Sequence, residues 1–451
     1  MKENVRANFC FYAFGYSHLF FEKLIANPSF YKKYNNPNFL FITPNRTHKI
    51  FYDKLNYKVF YLSDIKISSK NEFKYCVNKE IATQKKSIIN LNSKSQEQIY
   101  YKADVLINKI LINNKITHVI FSQAIEGLYG ILLANNAKEL KIKCFVPHST
   151  RFIGTSFFSN NQYENLEIKN QSINSDDFKK SKKIIENIRT SQEIQRYPTK
   201  SKIKKPLFNR LYNFLKKVTT EKKIDLPRLF VSIENNLSQF YLLFYKSRWI
   251  ISKRFIQIRS YNQLPKKFIF YPLQYTPESS INIPNPYFVD QNRLIDLIRF
   301  NMPKDYLLVI KENPNMIGRR NHFFYKNLSK LSGIRLIDHK LNTIKILKES
   351  SLVVSVSGTA CLEAYINKIP SIVFGKTFFS DFTNKVKPDF NNLSKTLKNY
   401  LKLKITEDEI QKNIALILIN THSFKSGAID FSPEILKEKN LNSFVKSLPT
   451  H

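Results

Sequence analysis

Acidic side chains are scarce in this chain: 35 Asp and Glu stand against 72 Lys and Arg, a formal net charge of +37 over 451 residues. A compositional bias toward Lys, Asn and Ile inflates bases without removing acids, so an imbalance of this size favours an anionic partner. The chain carries no helix-turn-helix, zinc, RRM or KH signature, which argues against a specific nucleic-acid partner and leaves an anionic membrane leaflet. Its four cysteines, Cys10, Cys76, Cys144 and Cys361, have no paired spacing, which excludes a disulfide framework and a structural zinc and implies a reducing compartment. There is no apolar leader behind basic residues and no uninterrupted apolar stretch of spanning length. These absences predict a cytoplasmic protein, peripheral at the inner face of the membrane. No repeat of solenoid period is visible. No Asp-x-Asp follows a strand, and Asp176-Asp177 reads as a solvated loop, so no metal and no cofactor are expected.

What is present is an alternation of apolar strand-like runs with helix-length segments. A hydrophobic share of 43% in a chain this long exceeds one comfortable core, so two domains are expected. Strands are predicted at Asn8–Phe14, Phe39–Thr43, Lys58–Leu62 and Thr117–Ser122, with a long amphipathic helix at Gln96–Asn113. Such alternation means a parallel sheet with right-handed crossovers. Residues 160–262 break the pattern with Asn-, Ser- and Lys-rich stretches. The expected organisation is an N-terminal α/β domain over 1–159, a basic helical insertion or connector over 160–262, a second α/β domain over 263–402 and terminal helices over 403–451.

The most informative segment runs from Val353 to Gly375. An apolar run enters the turn Ser357-Gly358-Thr359, a helix-length segment follows, and a second apolar run closes a βαβ unit. Such a turn offers N–H groups and hydroxyls at the end of the helix that favours negative charge, which is a phosphate site. Glu363 lies one turn on, on the face that reaches a ribose hydroxyl of a nucleotide whose phosphate sits at the turn. A plain helix cap with a solvated Glu363 is the competing reading. Upstream, Tyr306–Ile310 runs into Lys311-Glu312-Asn313-Pro314, and Phe268–Tyr271 runs into a polar loop that carries Glu278. Carboxyl ends of parallel strands are where open α/β sheets bind ligands. Lys311 or Arg319 would neutralise the phosphate, and Glu278 and Glu363 would serve ribose or base.

The ordered series "YPLQYTPESS", "VDQNRLIDLI", "LLVIKENPNMIGRRN" and "SVSGTACLEAYINKIPSIVFGKTFF" resembles the C-terminal half of the capsule polysaccharide biosynthesis/export family, which includes Kdo-type glycosyltransferases. The earlier segment "THVIFSQAIEGLYGILLANNAKELKIKCFVPHSTRFIGTSFFS" is similar to the same family's strand-helix-strand unit. The resemblance implies two Rossmann-like domains in a GT-B-like arrangement. It also implies transfer of a sugar, of the acidic eight- or nine-carbon type, from a nucleotide donor to a glycan or lipid-linked acceptor. The family usually has His-Pro where this chain has Asn313-Pro314, and that His is associated with the donor nucleotide, commonly a CMP-sugar. Asn313 can donate and accept hydrogen bonds but cannot carry a proton.

Glycosyl transfer needs a base for the acceptor hydroxyl, or a carboxylate nucleophile, and cationic groups for the leaving phosphate. In the first domain the candidates are Glu126, in the turn after Thr117–Ser122, His18, in the loop after the first strand, and His148 on the acceptor side. Arg151 is placed to meet an acidic sugar or a phosphate bidentately. Within the connector, Leu207, Phe208, Leu211, Tyr212, Leu215 and Val218 recur at helical spacing, flanked by Lys204, Lys205, Arg210, Lys216 and Lys217. That is the form of a helix lying in a membrane interface, or of one packed on the core with its lysines in water. Phe240–Ile251 reads as a buried helix or a monolayer contact. Two further functions fit the same residues: an epimerase-like enzyme acting on a sugar nucleotide, and a non-catalytic polyanion-binding scaffold.

Overall fold

A computed structural model of the chain describes residues 7–14, 17–62, 93–125, 127–152, 154–169, 171–191, 238–276, 285–384, 388–427 and 432–449. Glu126, Glu278 and the basic residues Lys204, Lys205, Arg210, Lys216 and Lys217 lie outside them.

The first sheet is built from β1 (Asn8–Tyr12), β2 (Asn38–Thr43), β3 (Val59–Tyr61), β4 (His118–Phe121), β5 (Lys143–Ser149) and β6 (Ser156–Ser159), in the order β3-β2-β1-β4-β5-β6. β1 to β5 pair in parallel, and β6 closes the edge antiparallel to β5. The strands are apolar throughout because both faces are covered. With a period of two, Phe9 and Phe11 enter one cluster with Phe41, and Cys10 and Tyr12 enter the other with Ile42.

The second sheet contains β7 (Phe268–Pro272), β8 (Leu307–Lys311), β9 (Ile334–Ile337), β10 (Leu352–Ser355) and β11 (Ser371–Val373), all parallel, in the order β11-β10-β7-β8-β9. Its strand order reverses between β7 and β10, as the first sheet's does between β1 and β4. These are the two Rossmann-like sheets of a GT-B-like architecture.

Three placements depart from the expected organisation. Helix Ser238–Ser252 packs on helix His322–Lys330, and Trp249, Ile256 and Ile258 are buried against the second sheet, where Ile258 bridges Ile337. The second domain's packing therefore begins well before 263. Helix Ser175–Ser191 also covers this domain: Ile185 and Ile188 share its core, and Arg189 donates to the Ile366 carbonyl and pairs with Glu407 at 2.9 Å. Asp176 and Asp177 sit in the first turn of that helix rather than in a loop, where the helix dipole favours them.

The terminal helices divide between the domains. Helix Glu407–Ile419 packs on helix Ser175–Ser191 beside the second domain; the chain then bridges from His422 to Ser156 and enters the first. There Phe424, Leu441, Phe444 and Leu448 join Phe20 and Phe21 in one core. The Lys33 ammonium donates to the Val445 carbonyl at 2.8 Å near the last helix, Glu438–Ser447. The two domains meet where Phe157 of β6 packs on Phe378, ring centroids 5.7 Å apart, and where Lys376 lies over Tyr163. The loop after β11 is thus held against the β5–β6 hairpin, at the carboxyl end of β5.

Candidate functional site

The crevice between the carboxyl ends of β7 and β10 is the topological switch point of the second sheet, the position at which a doubly wound sheet opens to a ligand. Gln274, just past β7, reaches across it. Its Nε2 donates to the Ser357 hydroxyl at 3.0 Å, and its Oε1 accepts from the Ser357 N–H at 3.3 Å. Gln291, at the start of helix Gln291–Asn301, grips Gln274 from behind: the Gln274 N–H donates to Gln291 Oε1 at 2.9 Å, and Gln291 Nε2 donates to the Gln274 carbonyl at 3.0 Å. The Tyr271 hydroxyl donates to the same Oε1. Buried amides bonded on every side hold a loop in one geometry.

The turn after β10 is shaped by close approach. The Gly358 N–H donates to the Ser355 hydroxyl at 2.8 Å, and a Cβ at position 358 would lie 2.5 Å from that oxygen. A larger residue here would have to displace the Ser355 hydroxyl from the Gly358 N–H. The expected phosphate site is thereby altered: the Ser357 and Gly358 N–H groups are engaged within the protein. What the turn leaves is Thr359, which opens helix Ala360–Ile366 with no side-chain cap bond, while the Cys361 N–H donates back to the Gly358 carbonyl at 3.1 Å. Glu363 is buried at 3% exposure, not solvated as the plain-cap reading requires.

At the end of β8 the charged residues separate into two sets. Lys311 is buried and its ammonium donates to the Thr343 hydroxyl at 2.6 Å, on the β9 side of the strand and away from the β7/β10 crevice. Glu312 is also buried. It accepts from Arg320 Nε at 2.9 Å, from the Tyr325 hydroxyl at 2.6 Å and from the Asn313 N–H at 2.7 Å. Burial still outweighs these partners and pushes its carboxyl above the ordinary range, the Arg320 charge opposing. Arg320 in turn donates to the Gln274 carbonyl at 2.6 Å, tying the β8 loop to the crevice. Asn313 is spent on a cap, accepting from the Asn315 N–H at 3.0 Å.

Arg319 stays exposed at the crevice mouth. It donates to the Tyr275 hydroxyl at 3.0 Å, with its guanidinium 5.7 Å from the ring centres of both Tyr275 and Tyr245. An exposed guanidinium beside two rings suits a carboxylate or phosphate.

In the first domain, His18 lies on helix Ser17–Ile25 behind β1, its ring 4.8 Å from that of His48 and 5.2 Å from Phe51. His48, which no sequence pattern singled out, is buried with Nδ1 3.2 Å from the Ala13 carbonyl. Two histidines therefore gather near the carboxyl ends of β1 and β2. His148 is corrected to a core role. It sits within β5 with its side chain inward, Nε2 2.8 Å from the Ser159 hydroxyl, its ring stacked on Phe157. Burial, and then the Arg151 charge, lower its pKa to about 3. Arg151 itself pairs with Glu164 at 3.2 Å, closing the loop beyond the hairpin.

Among the described residues no three His, Cys, Asp or Glu side chains converge as a metal site requires, and no helix is long and apolar enough to cross a membrane. Cys10, Cys144 and Cys361 are buried thiols pushed upward by burial, Cys144 to about 12. A cavity of about 260 Å³ lined by Asn8, Asn38 and Lys115 lies at the amino ends of β1 and β2, the edge opposite the one where such sheets bind ligands.

Sequence reasoning missed Gln274, Gln291, Arg320 and Tyr325 as site residues. The polar loop after β7 was the available signal for the first; nothing local marks the others.

Residues 241–414 match the family described as capsule polysaccharide biosynthesis protein, a span that contains the whole crevice. Solved structures similar to the chain include the UDP-GlcNAc 2-epimerase of Methanocaldococcus jannaschii, at 14% identity over 92% of this chain and 98% of that one, TM-score 0.27. The Thermosulfurimonas dismutans KpsC β-Kdo 2,4-transferase is similar at 10% identity over 73% and 86%, TM-score 0.41. The β-Kdo 2,7-transferase of the same organism is similar at 10% identity over 92% and 99%, TM-score 0.37. No curated protein matches the chain.

Proposed function

We propose that the protein, whose residues 241–414 match capsule polysaccharide biosynthesis proteins, is a glycosyltransferase that takes a sugar from a nucleotide donor seated in the β7/β10 crevice. The acceptor is a glycan or a lipid-linked saccharide, and the sugar is of the acidic Kdo or sialic type. The observation that carries this reading is the cross-crevice lock of Gln274 on Ser357, which fixes the turn before helix Ala360–Ile366 at the switch point.

In this reading the donor's phosphate lies at Thr359 and the amino end of the helix, where the dipole stabilises charge developing on the leaving nucleotide. Arg319 supplies the countercharge from the mouth. Glu363 and Glu278 are the carboxylates for ribose or base. The acceptor approaches from the first domain, where His18, beside His48, and Glu126 are the candidates for removing its proton. Chemistry carried by these groups needs no metal. The work is done at the cytoplasmic face of the membrane.

A thermal-shift panel of CMP, CDP, UDP, UMP and GDP tests the donor site. A nucleotide at a hundred times its dissociation constant adds roughly 2.7 kcal/mol of stability. Stabilisation by one nucleotide, lost in Thr359→Ala, is the expected result; no stabilisation by any of them returns the basic scaffold as the better account. An epimerase would interconvert the matching sugar nucleotide with no acceptor present, which product analysis of the same mixture reveals.

A further inference from the structure

Helix Ser238–Ser252 has two working faces. Inward, Trp249, the chain's one tryptophan, is buried on the second domain beside Tyr325. Outward, Phe244 is 53% exposed, Ile250 64% and Ile251 41%. At about 100° per residue these three fall on one arc of the helix, roughly opposite Trp249. Lys246 and Arg248 border that arc on its two sides. The Arg248 guanidinium sits 5.2 Å from the Phe244 ring centre, a cation at the rim of an apolar patch.

Along the chain around this helix the charge is of one sign. From Asn235 to Pro277 the chain has no Asp or Glu but has Lys246, Arg248, Lys253, Arg254, Arg259, Lys266 and Lys267. The helix on which it packs, His322–Lys330, also has no acid. Exposed large apolar side chains bordered by cations complement one surface: apolar below an anionic layer.

We propose that the outward face of helix Ser238–Ser252 docks on an anionic lipid bilayer, with Phe244, Ile250 and Ile251 entering the headgroup–acyl boundary and the flanking cations meeting lipid phosphates. The same helix bears Tyr245, on the side nearer Trp249, and its ring lies 5.7 Å from the Arg319 guanidinium, so one helix joins the proposed lipid contact to the mouth of the crevice. The lipid contact stands independently of glycosyl transfer; only its use in presenting a lipid-linked acceptor rests on the proposed function.

A chain of this charge meets anionic vesicles through Coulomb attraction alone, so salt separates the two contributions. Full-length protein is sedimented with vesicles of phosphatidylcholine containing about a third phosphatidylglycerol, at about 0.1 M and about 0.5 M salt. The wild type remains bound at the higher salt. Phe244→Ser combined with Ile250→Ser loses binding there by roughly tenfold per side chain, keeping its low-salt binding and its melting temperature. Release of the wild type at high salt, or equal retention of the variant, overturns the proposal. So does a wild-type dimer that the variant converts to monomer without lipid, since the face would then be covered by a second copy. Nucleotide stabilisation, read on the same two proteins, fails separately if only the donor-site reading is wrong.

Discussion

Arg320→Leu removes the guanidinium from the centre of the β8 loop. Glu312 and Arg320 are a buried pair, with side chains 3% and 12% exposed. Deleting one partner leaves a charge in the interior, and the typical loss is about 3–5 kcal/mol. For a domain of this size that lowers the melting temperature by on the order of 10 °C. The loss also depends on pH, with a sign set by the carboxyl. The folded pKa of Glu312 already lies above its unfolded value near 4.5, because burial wins. Without Arg320 it rises further. A raised carboxyl pKa costs nothing while the group is protonated in both states, and the penalty grows as pH climbs from the unfolded value through the folded one. The gap between wild type and variant is therefore small at about pH 5 and wide at about pH 8. Scanning calorimetry at the two pH values reads it directly. Adding Glu312→Gln to the variant removes the uncompensated charge and recovers part of the loss. Equal losses at both pH values, or no recovery in the double variant, would refute the reasoning.

Gly318→Ala places a Cβ 1.9 Å from the Tyr245 carbonyl oxygen, on a residue with φ of +72°. Backbone cannot move aside as a rotamer does, so the helix must lift; trypsin should cut at Lys246 and Arg248 faster than in the wild type, and an unchanged rate would show that helix and loop are not in contact. His148, with its pKa lowered to about 3 from an ordinary 6.5, contributes stability that is complete above 6.5 and is lost as pH falls toward 3. Its ring resonances should stay in the neutral position across the neutral range, and a midpoint near 6.5 would mean that the β5–β6 hairpin is open to water.

Much of the strand placement was legible because parallel strands covered on both faces are written as short apolar runs. β2, β4 and β8 fall within a residue or so of where those runs place them. The turn at Ser357-Gly358-Thr359 was legible for the same reason, as a small-residue break between a strand and a helix. His148 was offered as an acceptor-side residue, yet β5 continues through Ser149 once β6 folds back antiparallel, and the His148 side chain turns inward.

By itself the sequence determined several of the strands, that they alternate with helices, and that the chain is strongly basic, since each follows from local periodicity or composition. Tertiary structure alone decided which side chains meet. Gln274 and Ser357 lie 83 residues apart and touch only because the strand order reverses between β7 and β10. Lys311 and Arg319 read alike as cations after one strand, yet packing buries the first and exposes the second between two rings. Helix Ser238–Ser252 carries apolar side chains on more than one face, and only the body it packs against determines which of them is left for another partner. Sidedness and long-range register are properties of the folded chain, because they depend on which surfaces the other elements have already covered.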